Sequence, residues 1–99
     1  MAAVKSPIGD LETIAWSAAK GQRLRELREQ ERKLSRNKLV AKIRDSGHDI
    51  SPQYVQKLET GFRTSSGKTQ TVQSVGAQTL QAILGALDIR LDKFLSSAN

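Results

Sequence analysis

Ser51-Pro52-Gln53-Tyr54-Val55-Gln56-Lys57-Leu58-Glu59-Thr60-Gly61 is the stretch on which the reading of this chain turns. Serine is a favoured N-cap, proline fits the first helical position because its missing N–H has no intrahelical partner there, and glycine marks a stop. The segment therefore predicts a helix of barely three turns, over about 51–60. Val55 and Leu58 are its aliphatic residues and share one face. The opposite face, with Gln53, Gln56 and Lys57, has to meet solvent or a partner.

Upstream, Ser35 to Ser46 fits a second helix in which Leu39, Val40 and Ile43 share a face, and Gly47 suits the left-handed position after its last turn. Before that, Leu24 and Leu27 form an apolar stripe among charges, in a helix ending near Arg32 or Lys33. Asp10 is a plausible N-cap for a still earlier helix carrying Leu11, Ile14, Ala15 and Ala18, with Gly21 expected to bend or break it. Residues 1–9 read as a loose arm, because Ser6-Pro7 and Gly9 interrupt any periodicity.

Downstream, 62–74 is almost wholly polar and predicts no regular structure. Leu80, Ile83, Leu84 and Leu87 then fall at i, i+3, i+4 and i+7, the clearest amphipathic helix of the sequence. A last short helix holds Leu91, Phe94 and Leu95. The expected fold is all-α: a compact five-helix helix-turn-helix domain with an extra N-terminal helical segment. Its expected division is an arm and helix over 1–19, the domain over 20–95, and a tail over 96–99.

Composition supports one domain with a modest core. The chain has 99 residues, 37% apolar and only 4% aromatic, so the core must be built from aliphatic side chains, which favours helices. The chain has no cysteine, which excludes disulfides, thiolate metal sites and cysteine nucleophiles and suits an intracellular setting. No apolar stretch approaches a membrane span, and the opening residues lack the basic-then-apolar layout of a secretory signal. These features predict a cytoplasmic protein with no membrane partner.

The formal net charge is +6, and it is unevenly spread. Lys20, Arg23, Arg25, Arg28, Arg32, Lys33, Arg36, Lys38, Lys42 and Arg44 face only Glu26, Glu29 and Glu31 in the same segment. Such an excess is either the footprint of a polyanion or a solvated, solubilising helix face.

No catalytic constellation is legible, and the expectation is a non-enzyme with no cofactor. Gly61 to Thr69 superficially suggests a phosphate-binding loop, but five residues separate its glycines where the nucleotide-binding motif has four, and no strand pattern precedes it. No nucleotide is expected. His48 lacks a second histidine or a cysteine to share a metal, and it reads as an exposed turn residue. Asp45 and Asp49 suit helix-end and turn capping better than a carboxylate pair. Trp16 reads by default as core, and Leu91, Phe94 and Leu95 either close the domain or make a dimer contact.

In order and spacing, these elements resemble the XRE family, the Cro and lambda-repressor class of helix-turn-helix proteins, over roughly 20–95. Leu34-Ser35-Arg36-Asn37-Lys38-Leu39-Val40 stands where the family opens its second helix with Leu-Ser-Gln-x-x-Leu-Ala. Ser51, Val55, Leu58, Glu59 and Gly61 match the pattern ending the third helix, and Thr79, Leu80, Ile83, Leu87 and Ile89 approach the closing pattern. Arg36 replaces the usual glutamine, and Lys33 replaces the usual glycine before Leu34. The stretch from Leu39 to Ser51 is longer than the family norm, as is the loop after Gly61. That long turn, with Gly61-Phe62-Arg63-Thr64, is similar to an EspR-like actinobacterial subgroup of nucleoid-associated regulators.

The resemblance implies double-stranded DNA as partner, with the helix at about 51–60 in the major groove. Gln53 and Gln56 carry amides that match an adenine edge, and Lys57 reaches guanine or phosphate. Tyr54 is open between core packing and a contact with a thymine methyl or a phosphate. Ser35, Arg36 and Asn37 start the second helix, where backbone amides and the dipole favour phosphate. Ser51 is first a cap and second a backbone contact, Arg63 is a backbone or minor-groove contact, and Lys68 extends it. The acid at Glu59 is expected to pair with Arg28. The implied protein is a homodimeric transcriptional regulator or nucleoid-associated protein. The competing reading is a protein-interaction module, such as an antitoxin or adaptor, that uses the same helical fold to hold a protein partner, a reading favoured by the polar loop 62–74 and the N-terminal helix around Trp16.

Overall fold

The computed structural model describes residues 12–97. The expected arm over 1–9, the Asp10 cap and Leu11 lie outside the described residues. Among the described residues five helices form the body: α1 (Ala18–Glu26), α2 (Arg36–Asp45), α3 (Pro52–Thr60), α4 (Ala77–Ala86) and α5 (Leu91–Ser97). Four short strands accompany them, β1 (Thr13–Ala15), β2 (Phe62–Arg63), β3 (Thr69–Gln70) and β4 (Ser74–Gly76). The strands make two antiparallel two-stranded sheets, β1 with β4 and β2 with β3.

The expectation of an all-α fold is therefore overturned in two places. The extra N-terminal helical segment is not formed at Thr13–Ala15, which is a strand. Ile14 and Ala18 satisfy a helical spacing, but Ile14 lies opposite Val75 in the β1–β4 ladder, and that long-range pairing prevails over a short ambiguous apolar run. The ladder continues at both ends. The Trp16 N–H donates to the Gln73 carbonyl at 2.9 Å, and the Ala77 N–H donates to the Glu12 carbonyl at 2.9 Å. The second of these satisfies one of the orphan amides at the start of α4, whose N-cap, Gly76, has no side chain to do so.

The second correction concerns 62–74, expected to lack regular structure. Phe62 pairs with Gln70 and Arg63 with Thr69, and β4 follows. Every residue of β2 and β3 is exposed, so this hairpin carries no hydrophobic alternation for a sequence reading to detect. Its form comes from the backbone of its turn. Gly67 has φ +88°, the Gly67 N–H donates to the Thr64 carbonyl at 2.9 Å, and the Thr64 N–H donates to the Lys68 carbonyl at 2.8 Å.

The helices α2 and α3 begin where their serine signals put them, and α1 begins later than expected, at Ser17. Ser17, Ser35 and Ser51 cap α1, α2 and α3, each accepting from a backbone N–H three residues on. Gly47 is left-handed, with φ +95°. The core joins Leu24 and Leu27 of the first helical stretch, Leu39, Val40 and Ile43 of α2, Val55 and Leu58 of α3, and Leu80, Ile83, Leu84, Leu87 and Phe94 behind them. Trp16 and Val75 complete it from the β1–β4 side, with the Trp16 and Phe94 rings stacked at 5.9 Å. No helix among the described residues is long and apolar enough to cross a membrane.

Gly21 does not break α1; it lies buried inside it. A β-carbon at Gly21 would meet the backbone carbonyls of Leu58 and Glu59, so the glycine permits close approach of α1 to α3. Beyond Glu26 the helix widens into a π-helical turn over Leu27–Glu31. The Arg32 N–H reaches back to the Leu27 carbonyl at 2.9 Å and the Leu34 N–H to the Arg28 carbonyl at 2.8 Å. Lys33, with φ +54°, makes the left-handed exit that glycine makes more cheaply.

Candidate nucleic-acid interface

The inner side of α3 is fixed to the rest of the domain by its last turn. Glu59 is fully buried, and its carboxylate accepts from Arg28 Nε at 2.6 Å and Nη2 at 2.9 Å. Arg28 is itself buried, and its Nη1 donates to the Leu34 carbonyl at 2.8 Å. The expected Arg28–Glu59 pair is thus present, two-pronged, and extended into the turn before α2. The Glu59 hydrogen bonds hold the Arg28 guanidinium above its ordinary range, against the opposing effect of burial, and the charges of Glu59 and Glu29 add to this. At Glu29 partial desolvation acts upward, but Arg25 and Arg28 outweigh it and set the carboxyl below the usual range.

Arg36 also turns inward. Its Nε and Nη2 donate to Glu59 at 3.2 and 3.0 Å, so the guanidinium is largely committed inside the domain. Much of the rest of the basic segment is paired with acids at the surface. Arg23 pairs with Glu26 and Glu31, Arg25 with Glu29, and Arg44 with Asp49, while Arg32 Nε caps the Leu87 carbonyl at 2.7 Å. The charge excess read from 20–44 is therefore not one free cationic stripe. Among the described residues, Lys20, Arg32, Lys33, Lys38, Lys42, Lys57, Arg63, Lys68 and Lys93 are cations without an acidic partner.

The outer side of α3 is different. Gln53, Gln56 and Lys57 are exposed, and their side chains make no hydrogen bond or ion pair with other described residues. Two hollows, both open to solvent, flank this face and share Gln53 and Gln56. One is walled by Glu29 and Lys33, which precede α2, and by Ser35, Arg36 and Asn37 at its start. The other is walled by Lys57, Phe62, Arg63 and Thr69 where α3 runs into the β2–β3 hairpin. Such a face presents two amides and an ammonium group to anything seated on it, with hydroxyl, amide and cationic groups on both sides.

The remaining expected site residues lie elsewhere. Ser51 spends its hydroxyl on the Tyr54 N–H at 3.1 Å and borders a separate hollow with Arg44 and Asp49. Tyr54 is half-buried against the core, and burial raises its phenol above the ordinary range. Lys68 sits at the hairpin turn, exposed. The sequence reading did not place Lys33, Phe62 or Thr69 at this surface. The one signal for Lys33 was its position where the family resemblance has glycine; Phe62 and Thr69 gave none, because the hairpin itself was not legible.

No family model matches the chain, and no curated protein or solved structure matches it.

Proposed function

We propose that the chain is a DNA-binding protein, a transcriptional regulator or nucleoid-associated protein acting in the cytoplasm, that lays the outer face of α3 in the major groove. The observation that carries this reading is the uncommitted row Gln53, Gln56 and Lys57 between two open, cation-bordered hollows. Glutamine amides match adenine edges, and lysine matches guanine or phosphate. The Ser35–Asn37 turn, where exposed α2 amides meet the hollow, supplies phosphate contacts that set register without reading sequence.

A helix of nine residues is about 13 Å long and spans roughly four base pairs. Selection of one genomic site calls for a longer word than that, which supports a homodimer reading two half-sites.

The test is fluorescence anisotropy with a random-sequence 30-base-pair duplex and a duplex enriched by the protein from genomic DNA, each at about 50 and 200 mM salt. Binding that falls steeply with salt is expected, with the Lys57→Glu/Arg63→Glu double variant losing it while its far-UV circular dichroism is unchanged. Neither residue pairs with an acid among the described residues, so the fold is not at stake. Unaltered binding by the variant sinks the assignment of this surface, and absence of binding by the wild type to any duplex sinks DNA as the partner.

A further inference from the structure

Of the chain's aromatic residues, Trp16 and Phe94 are buried in the core and Tyr54 packs against it. Phe62 does neither: it takes no part in the core and is the one large apolar side chain among the described residues that is exposed, at 36%. A single exposed apolar residue is ordinary on a protein surface, and what distinguishes this one is its place. Phe62 stands in the hollow that also holds Gln53, Gln56, Lys57 and Thr60, on the outer side of α3. Thr60 spends its hydroxyl proton on the Gln56 carbonyl at 3.0 Å, so it brings no free donor to that hollow.

The backbone that carries Phe62 is set by its neighbours. Gly61, between α3 and Phe62, has φ +83° and ψ −168°, a conformation essentially restricted to glycine. A β-carbon there would also strike the Gln70 backbone, with the carbonyl carbon at 3.2 Å, and Phe62 itself pairs with Gln70 in the β2–β3 ladder. The chain therefore leaves α3 in one direction, with Phe62 just past the last turn. From Lys57 to Gly61 is about 6 Å at helical rise, or roughly two base pairs along a duplex.

We infer that Phe62 reads a thymine, its ring lying against the 5-methyl group in the major groove. The inference rests on the DNA-binding reading above and adds to it a base-reading residue outside the helix. The thymine methyl is the apolar group among the base edges of that groove, and an apolar side chain such as phenylalanine is its chemical match. Gln53, Gln56 and Lys57 bring amide and ammonium groups, which suit adenine and guanine edges and leave a methyl without a counterpart. Phe62 supplies that counterpart about two base pairs past Lys57, at the end of the word. The contact is made with a base and not with the phosphates, so it fixes sequence and leaves the salt dependence of binding unchanged.

The experiment uses the full chain and its Phe62→Ala variant, on the duplex that the wild type enriches from a random pool. Each thymine of that duplex is replaced in turn by deoxyuridine, which pairs identically and lacks only the methyl, and affinity is read by fluorescence anisotropy. Phe62 lies outside the core, so the variant is expected to keep the wild-type circular dichroism. Burial of one methyl corresponds to about a fourfold change in affinity. The wild type is expected to lose about that much at a thymine at one end of each half-site, where the variant loses nothing. At the other thymines, and in the slope of log K against log salt, the two proteins should agree. A wild type indifferent to every deoxyuridine, an enriched half-site with no thymine at its end, or a variant that loses as much as the wild type there overturns the role of Phe62 while leaving the α3 reading intact. A wild type that binds no duplex overturns both.

Discussion

Substituting Gly21 with alanine tests whether α1 and α3 are packed as closely as the structure has them. The added β-carbon would stand 2.8 Å from the Glu59 carbonyl oxygen and closer still to that of Leu58. Carbon–oxygen contacts settle at about 3.3 Å or more, so α3 must retreat by upwards of about 0.5 Å. Overpacking of this kind costs about 1–3 kcal/mol. The Leu58 carbonyl also accepts the buried Trp16 indole N–H at 2.7 Å, and stretching that bond forfeits part of its roughly 0.5–1.5 kcal/mol. Against this, alanine gains about 0.5–1 kcal/mol over glycine in a helix interior. The balance is a loss of about 2 kcal/mol, and for a domain of this size each kcal/mol lowers Tm by about 4–8 °C. The Gly21→Ala melt followed by circular dichroism should thus fall by roughly 8–16 °C. Gly85→Ala is the control: it lies in α4 with nothing within 4 Å of its β-carbon, and it should gain up to about 1 kcal/mol. A Gly21→Ala protein that melts at or above the wild type refutes the close approach.

Three further outcomes follow from the same contacts. Glu59→Gln removes the carboxylate that two arginines share and leaves Arg28 buried without it; a loss of about 3–5 kcal/mol is expected in urea titrations, and a loss under about 1 kcal/mol would mean the pair is solvent-relaxed. Tyr54 is the chain's one tyrosine, so tyrosinate absorbance near 295 nm reports it alone. Its raised phenol pKa means that the folded state favours the neutral form, a contribution present in full below about pH 10 and lost as pH rises beyond it; a midpoint at or below 10 would contradict the half-buried ring. Lys33→Gly should stabilise the domain by about 0.5–1 kcal/mol by relieving a left-handed lysine. If Lys33 also meets a phosphate, the variant's salt slope becomes shallower by about 0.9, so stability and binding move in opposite directions.

The helices α2, α3 and α4 were legible because local signals mark them, whereas the start of α1 was misread, its cap being Ser17 and not Asp10. Ser51-Pro52 and Gly61 bound α3 without reference to the rest of the chain, and the stripe from Leu80 to Leu87 fixes the buried face of α4. The Arg28–Glu59 pair was legible for another reason, a family resemblance, since residues so far apart in sequence carry no local signal of contact. The sheets were not legible. Ile14 faces Val75 through a pairing whose two halves lie on either side of α1, α2 and α3, and neither three-residue strand is long enough to declare itself. Among the site residues, the bonds from Arg36 to Glu59 were not legible, because the position of a cation at a helix start does not reveal that it also reaches a buried acid.

The same contacts explain why the outer face of α3 is free to do something. Each anchoring interaction on the helix reaches its last turn or its inner side: Gly21 admits the Leu58 and Glu59 backbone, Trp16 satisfies the Leu58 carbonyl that the end of the helix orphans, Arg28 and Arg36 converge on Glu59, and Gly61 turns directly into the hairpin. With position fixed from behind by strand, helix and hairpin together, Gln53, Gln56 and Lys57 have no structural duty. A short helix held in this way presents its polar side chains at low ordering cost, because the backbone that carries them is already immobilised, and the binding energy of any contact they make is not consumed in setting the helix. The strand β1 is part of that arrangement through Trp16, which follows it directly, even though it precedes all five helices.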